Sequence, residues 1–135
     1  MELPWLSRWQ PQLLAVLRIV TGLLFLEHAT QKFFAFPTPF PMPGPLPPIE
    51  VAAGVIEFAT GILVTIGLFT RPIAFLAAGE MAVGYFMYHF PKSFWPAVNM
   101  GEAAILYCFV FLYIAAAGPG AWSIDGARMK NAPIR

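Results

Sequence analysis

Arg18, Glu27, His28, Lys32, Glu57, Glu80, Asn99 and Glu102 all fall within, or at the ends of, strongly apolar runs. Carboxyl, imidazole and ammonium groups in such surroundings can hold or pass protons, and an amide can orient a small ligand. Three acids and one histidine (Glu27, His28, Glu57, Glu102) cannot neutralise one another, so some of the acids must carry protons. The types therefore suggest proton handling by His28, Glu57 and Glu102, with Glu27, Lys32 and Asn99 as ligand-binding partners. Arg18 and Glu80 have opposite charges and form the natural structural ion pair. A metal centre built from His28, His89, Glu57 and Glu102 finds no support, because no His/Glu ligand spacing of the usual kind occurs.

The elements that must position these groups are read from length and composition. Of 135 residues, 59% are hydrophobic and 11% charged, against about 25% charged in a soluble domain. The mean hydropathy is +0.68. Apolar stretches at residues 11–36, 48–70, 72–90 and 98–118 are each long enough for a membrane helix of about 20 residues. Pro11 suits a first helical turn, Arg71-Pro72 makes a tight connection, and Gly118-Pro119-Gly120 ends the last stretch. The fold class expected is all-α, an integral membrane four-helix bundle forming one domain over 1–135. A soluble bundle would need polar outer faces that these segments lack.

Loop charges orient the bundle. One side carries Arg8, Arg71, Arg128, Lys130 and Arg135, and the other carries Lys32 and Lys92. The excess of basic residues places both termini, with the tail 119–135, in the cytoplasm. Residues 37–48 form a proline-rich outer loop that favours extended backbone. A stiff connector is the simpler account of it, and a lid over the outer mouth the alternative. Trp5, Trp9, Trp95 and Trp122 flank the predicted helix ends as interfacial anchors.

A rise of about 1.5 Å per residue gives depths. Glu27, His28 and Glu57 come out roughly 12–14 Å below the outer ends and Glu102 about 6 Å below. All four are expected to meet in the outer half. Arg18 and Glu80 come out roughly 9–12 Å above the inner ends. On the second helix Glu50, Gly54, Glu57 and Gly61 share one face, with glycines allowing close helix approach. Arg18 with Gly22, His28 with Lys32, and Glu80 with Gly84 share faces likewise. The plain alternative is that these groups merely hydrogen-bond the helices together, each contact worth about 0.6–2 kcal/mol.

Several classes are excluded. A net charge of +1 offers no basic stripe for nucleic acid. The one cysteine, Cys108, allows neither an intrachain disulfide nor dithiol exchange. The first apolar run is longer than a signal-peptide core, and Glu27–Lys32 makes a poor cleavage site. No haem-ligand pair, flavin fingerprint or iron–sulfur cysteine set is present. Phe86, Tyr88, Tyr107, Phe109 and Tyr113 could line a slot for a flat quinone-like ligand, though packing and lipid contact account for them more simply.

Leu17-Arg18-Ile19 with Gly22, His28 and Lys32; Glu57 with Gly61; Gly67–Arg71; Asn99–Glu102; and Gly118–Asp125 follow one another across the four helices. In this order and spacing the chain resembles the DoxX/DoxD-like membrane proteins along nearly its whole length. The long proline run departs from the family's short first outer loop. The resemblance implies a multi-pass protein of the bacterial inner membrane. Some members look like membrane subunits of quinone-linked oxidoreductases, such as thiosulfate:quinone oxidoreductase. Others are linked to complexes handling sulfur and oxidative stress. It carries Arg18, His28, Lys32, Glu57, Asn99 and Glu102 over as the positions to test. A redox-linked membrane subunit is thus expected, with electrons from a quinone or a partner protein and the lipid bilayer as its setting. A protein partner or a homo-oligomer is expected too. Whether the chain is itself an enzyme stays open against a scaffold or assembly factor and a small proton-coupled transporter.

Overall fold

The computed structural model describes residues 1–131 and is all-helical over them. Arg135, counted above among the loop charges, lies outside the described residues. A short helix α1 (Pro4–Ser7) leads into α2 (Gln10–Phe34), which has proline in its first turn as expected. Helix α3 (Pro48–Ile66) again opens on proline and stops at Gly67, whose left-handed φ of 70° turns the chain. Leu68 N–H then bonds Leu63 O at 2.9 Å, closing the carbonyls that the helix end leaves free. This stop falls four residues before the expected one, because the apolar run Gly67–Thr70 continues in composition but not in helical conformation.

Helix α4 (Thr70–Gly84) starts before Pro72 and runs on into a π-helical turn, Tyr85–His89. A brief helix α5 (Pro96–Asn99) precedes α6 (Glu102–Ala117), and α7 (Ile124–Lys130) closes the described chain. The fourth apolar stretch is thereby split. Met100 takes a left-handed φ of 61° and breaks the helix just before Glu102. Helices α2 and α3 are long and apolar enough to cross a bilayer, and α6 is apolar but shorter.

The closest associations are α2 with α3 and α4 with α6, while α3 meets α4 more loosely. Glycine explains the first. A Cβ built on Gly61 would lie 2.9 Å from Leu26 Cβ and 3.0 Å from its Cα. The two backbones can approach so closely because no side chain stands there. The core joins the two pairs through Phe25, Val64, Ala74, Ala77, Ala78, Phe111 and Ile114. Polarity is inverted relative to a soluble protein. Arg18, Glu50, Glu57, Thr60 and Asn99 are buried, whereas Val20, Leu23, Phe75, Val83, Leu106 and Phe109 are exposed. An apolar exterior around buried charges is the arrangement that a hydrocarbon surround favours.

Candidate functional site

The buried charge centre is Lys32. It sits in the last turn of α2, and its Nζ donates to Oε1 and Oε2 of Glu57, both at 3.0 Å. Glu50 Oε2 lies 3.0 Å from the same nitrogen. The three side chains are 5%, 6% and 9% exposed for Lys32, Glu57 and Glu50. Both acids come from the same face of α3, seven residues apart, and Gly54 lies between them. A Cβ on Gly54 would come 2.6 Å from Phe33 Cζ and 3.3 Å from Lys32 Cδ, so the missing side chain makes room first for the Phe33 ring and then for the lysine stem. The expected stripe Glu50, Gly54, Glu57, Gly61 is buried along its whole length.

Glu80 completes the cluster from α4. It neighbours Glu57, and its two carboxyl oxygens are buried without a hydrogen-bond donor. Tyr88, on the π-helical turn, lies beside Glu50. From the proline-rich loop, Phe40 places its ring 5.3 Å from Lys32 Nζ, a cation–π contact that covers one side of the ammonium. The arrangement thus holds three carboxyls against one ammonium in a site drawn from α2, α3 and α4. The three carboxyls do not make up a metal-ligating group among the described residues.

This is a different constellation from the one expected. His28 is exposed and packs edge-on against Phe25 and Tyr107, with ring centroids 6.4 and 5.9 Å away. Glu27 and Glu102 are exposed as well. Among the described residues none of the three makes a hydrogen bond or ion pair to Glu57. Similar depth did not bring them together, because Glu27 points almost opposite the buried face of α2. Glu102 opens the first turn of α6, where it faces outward. Glu50, expected only as a member of the shared face of the second helix, belongs to the centre instead. Its seven-residue spacing from Glu57 was the available signal.

The expected Arg18–Glu80 pair is not formed. Arg18 is fully buried, and its guanidinium donates to the carbonyls of Pro119, Ala121 and Trp122. Glu80 was placed low by counting from Pro72. The helix begins at Thr70 and continues to His89, so Glu80 sits near mid-height, level with Glu57. Counting up from the inner ends, both come out roughly 14–15 Å high.

Asn99 is a structural hub of the corner where the π-helical turn meets α5 and α6. Its Nδ2 donates to Tyr85 Oη at 3.1 Å and Ser93 O at 2.9 Å, and its Oδ1 accepts from Gly101 N–H at 2.8 Å. His89 Nδ1 lies 3.0 Å from the Asn99 carbonyl. At the opposite end of α4 Asp125 accepts from the N–H groups of Phe69 and Thr70 at 2.9 and 2.8 Å, capping α4 from a distance. Burial alone would push its carboxyl up. The Thr70 and Phe69 hydrogen bonds and the nearby Arg128 charge outweigh that and hold it below the ordinary aspartate value. Nothing in the local sequence announced this cap, since its partners lie 55 and 56 residues away.

Comparison with known proteins matches residues 13–90 to the DoxX family model. An uncharacterized protein of Haemophilus influenzae is 41% identical over 133 residues, covering 93% of this chain and 98% of its own. The inner membrane protein YphA of Escherichia coli is 29% identical, covering 86% of this chain and 90% of its own. The uncharacterized membrane protein Rv3486 of Mycobacterium tuberculosis is 26% identical over 140 residues, with 90% of this chain and 85% of its own covered. No solved structure matches.

Proposed function

The chain belongs to the DoxX family of membrane proteins, and from that premise we propose that it is the membrane component of a redox-linked complex whose protons are held and passed by Lys32, Glu50, Glu57 and Glu80. In this reading it forms a single domain that crosses the bacterial inner membrane four times, through α2, α3, α4 with its π-helical turn, and α6. Both termini lie in the cytoplasm, as the basic inner loops favour.

One observation carries the proposal. Two carboxyls, Glu50 and Glu57, pair with one ammonium, and a third, Glu80, is buried beside Glu57 with oxygens that have no donor. Fully ionised, the cluster would bury two surplus negative charges within the hydrocarbon layer, where even one ionised side chain costs about 2.5–3.5 kcal/mol. Protons remove that cost, and a protonated carboxyl can donate to its neighbour. Glu80 and Glu57 are adjacent, so a proton can pass between them while the cluster's total charge stays constant. Such coupled acids titrate as a unit. Electrons for the partner reaction come from a quinone or another protein, for which this chain supplies the proton side.

Infrared spectroscopy of the purified protein in lipid nanodiscs tests the proton store. Wild type should show a protonated-carboxyl C=O stretch at neutral pH that weakens in Glu80→Gln and in Glu57→Gln. A wild-type spectrum with ionised carboxylates alone rejects it. The redox link is tested by quinone-dependent respiration in native membranes that contain wild type or Glu57→Gln. Equal rates at equal expression would remove it. A scaffold is the second reading, favoured by the Arg18 clamp, which ties the C-terminal segment to α2 through three carbonyls. It expects Glu57→Gln to alter partner capture with turnover unchanged.

A further inference from the structure

Glu27 and His28 take no part in the Lys32 cluster, yet they lie about seven residues short of the outer end of α2, roughly 10 Å along the helix. Both are exposed. Ionisable groups at such a depth almost always face protein or pair with one another. In the single chain the Glu27 carboxylate has neither hydrogen bond nor ion pair among the described residues.

The surrounding side chains say what can cover it. Leu17, Val20, Leu24, Glu27, Gln31 and Phe34 recur at intervals of three, four, three, four and three, the a/d spacing of a helix–helix seam. The four apolar members are 39%, 48%, 46% and 65% exposed, so much of the seam is uncovered within the chain, although Phe34 meets Phe58 of α3 with ring centroids 6.3 Å apart and Gln31 donates to Thr38. It runs along the side of α2 opposite the buried stripe of Ala15, Arg18, Gly22, Phe25 and Ala29. Leu17, Leu24 and Gln31 take the a positions, and Val20, Glu27 and Phe34 the d positions. His28 follows at e, beside the seam, its ring steadied by the edges of Phe25 and Tyr107.

We propose that α2 packs against α2 of a second copy of this chain in the membrane, with Glu27 of each copy paired to His28 of the other. Two copies inserted the same way run parallel, and a two-fold axis along the membrane normal makes the contact isologous. In a parallel seam each d residue is flanked by the partner's e residue. Glu27 therefore meets the second copy's His28 twice over, and each acid faces an imidazole. Charge complementarity and heptad spacing coincide on one stripe, which selects a second copy over lipid or an unrelated helix. The buried Lys32 cluster is untouched by the contact, so the inference stands apart from the proposed function.

Oxidative cross-linking in native-membrane vesicles tests it, with single cysteines introduced into a Cys108→Ser background. Leu24→Cys should form a disulfide-linked dimer, while Phe75→Cys, exposed on α4, should stay monomeric. Adding Glu27→Arg to Leu24→Cys should cut the dimer fraction several-fold, and exchanging the pair (Glu27→His with His28→Glu) should restore it. Absence of a Leu24→Cys dimer in correctly inserted protein overturns the inference. So does equal cross-linking at Phe75, capture of a different protein at Leu24, or a dimer fraction indifferent to Glu27→Arg.

Discussion

The Lys32 ammonium lies 3.0 Å from both carboxylate oxygens of Glu57, across the α2–α3 interface. Glu50 reaches the same nitrogen, so one cation serves two acids while a third, Glu80, lies beside Glu57 without a donor. The consequence is asymmetric: removing the lysine strands the acids, whereas removing one acid relieves surplus charge.

Lys32→Met is accordingly expected to destabilise the protein by about 3–5 kcal/mol, the cost of breaking a buried pair from one side. Lys32→Met with Glu57→Gln should recover part of that loss. Thermal unfolding in detergent across the double-mutant cycle measures the coupling, expected at about 1–3 kcal/mol. Additive losses would show that the two groups do not interact.

Gly61 and Gly22 set the distance between α2 and α3. A Cβ at Gly22 would fall 2.4 Å from Thr65 Oγ1 and 2.9 Å from Thr65 N. Gly22→Ala and Gly61→Ala should each cost about 1–3 kcal/mol through overpacking, read as a lowered detergent unfolding midpoint. Gly79→Ala, on α4 with open space around its Cβ, should leave that midpoint unchanged or raise it slightly.

Arg18 fastens the segment after α6 to α2. Arg18→Lys keeps the charge but cannot satisfy three carbonyls in a fan, so the C-terminal segment should loosen. Limited trypsin digestion at Arg128 and Lys130 should then be several-fold faster than in wild type. An unchanged rate would mean that the guanidinium contacts do not hold the tail.

Asp125 predicts a pH dependence. Its carboxyl is held low in the folded protein, so it stabilises the fold fully above the unfolded aspartate value of about 3.9. That contribution is lost as pH falls through the lower folded value. Asp125→Ala should cost about 1 kcal/mol at neutral pH, as for loss of a helix cap. The gap between wild type and variant should close as the pH drops below about 4. A gap constant down to pH 2–3 would rule out the charged cap.

Hydropathy, proline and glycine were enough to read an all-helical membrane chain, its long helices to within a few residues, and the buried face of α3. These features are local. An apolar run of given length has one economical use in a bilayer, Pro48 and Gly67 punctuate the backbone wherever they stand, and Glu50, Gly54, Glu57 and Gly61 share a face by helical period alone. The tertiary structure decided which charges meet. Lys32 and Arg18 carry long stems whose heads travel several ångströms, so their partners depend on how each helix is rotated and crossed, which apolar sequence on every face leaves unspecified. Hence Lys32 sits between Glu50 and Glu57, Arg18 turns to the carbonyls after α6 instead of Glu80, and His28 and Glu102 stay outside the cluster that their depth alone had suggested.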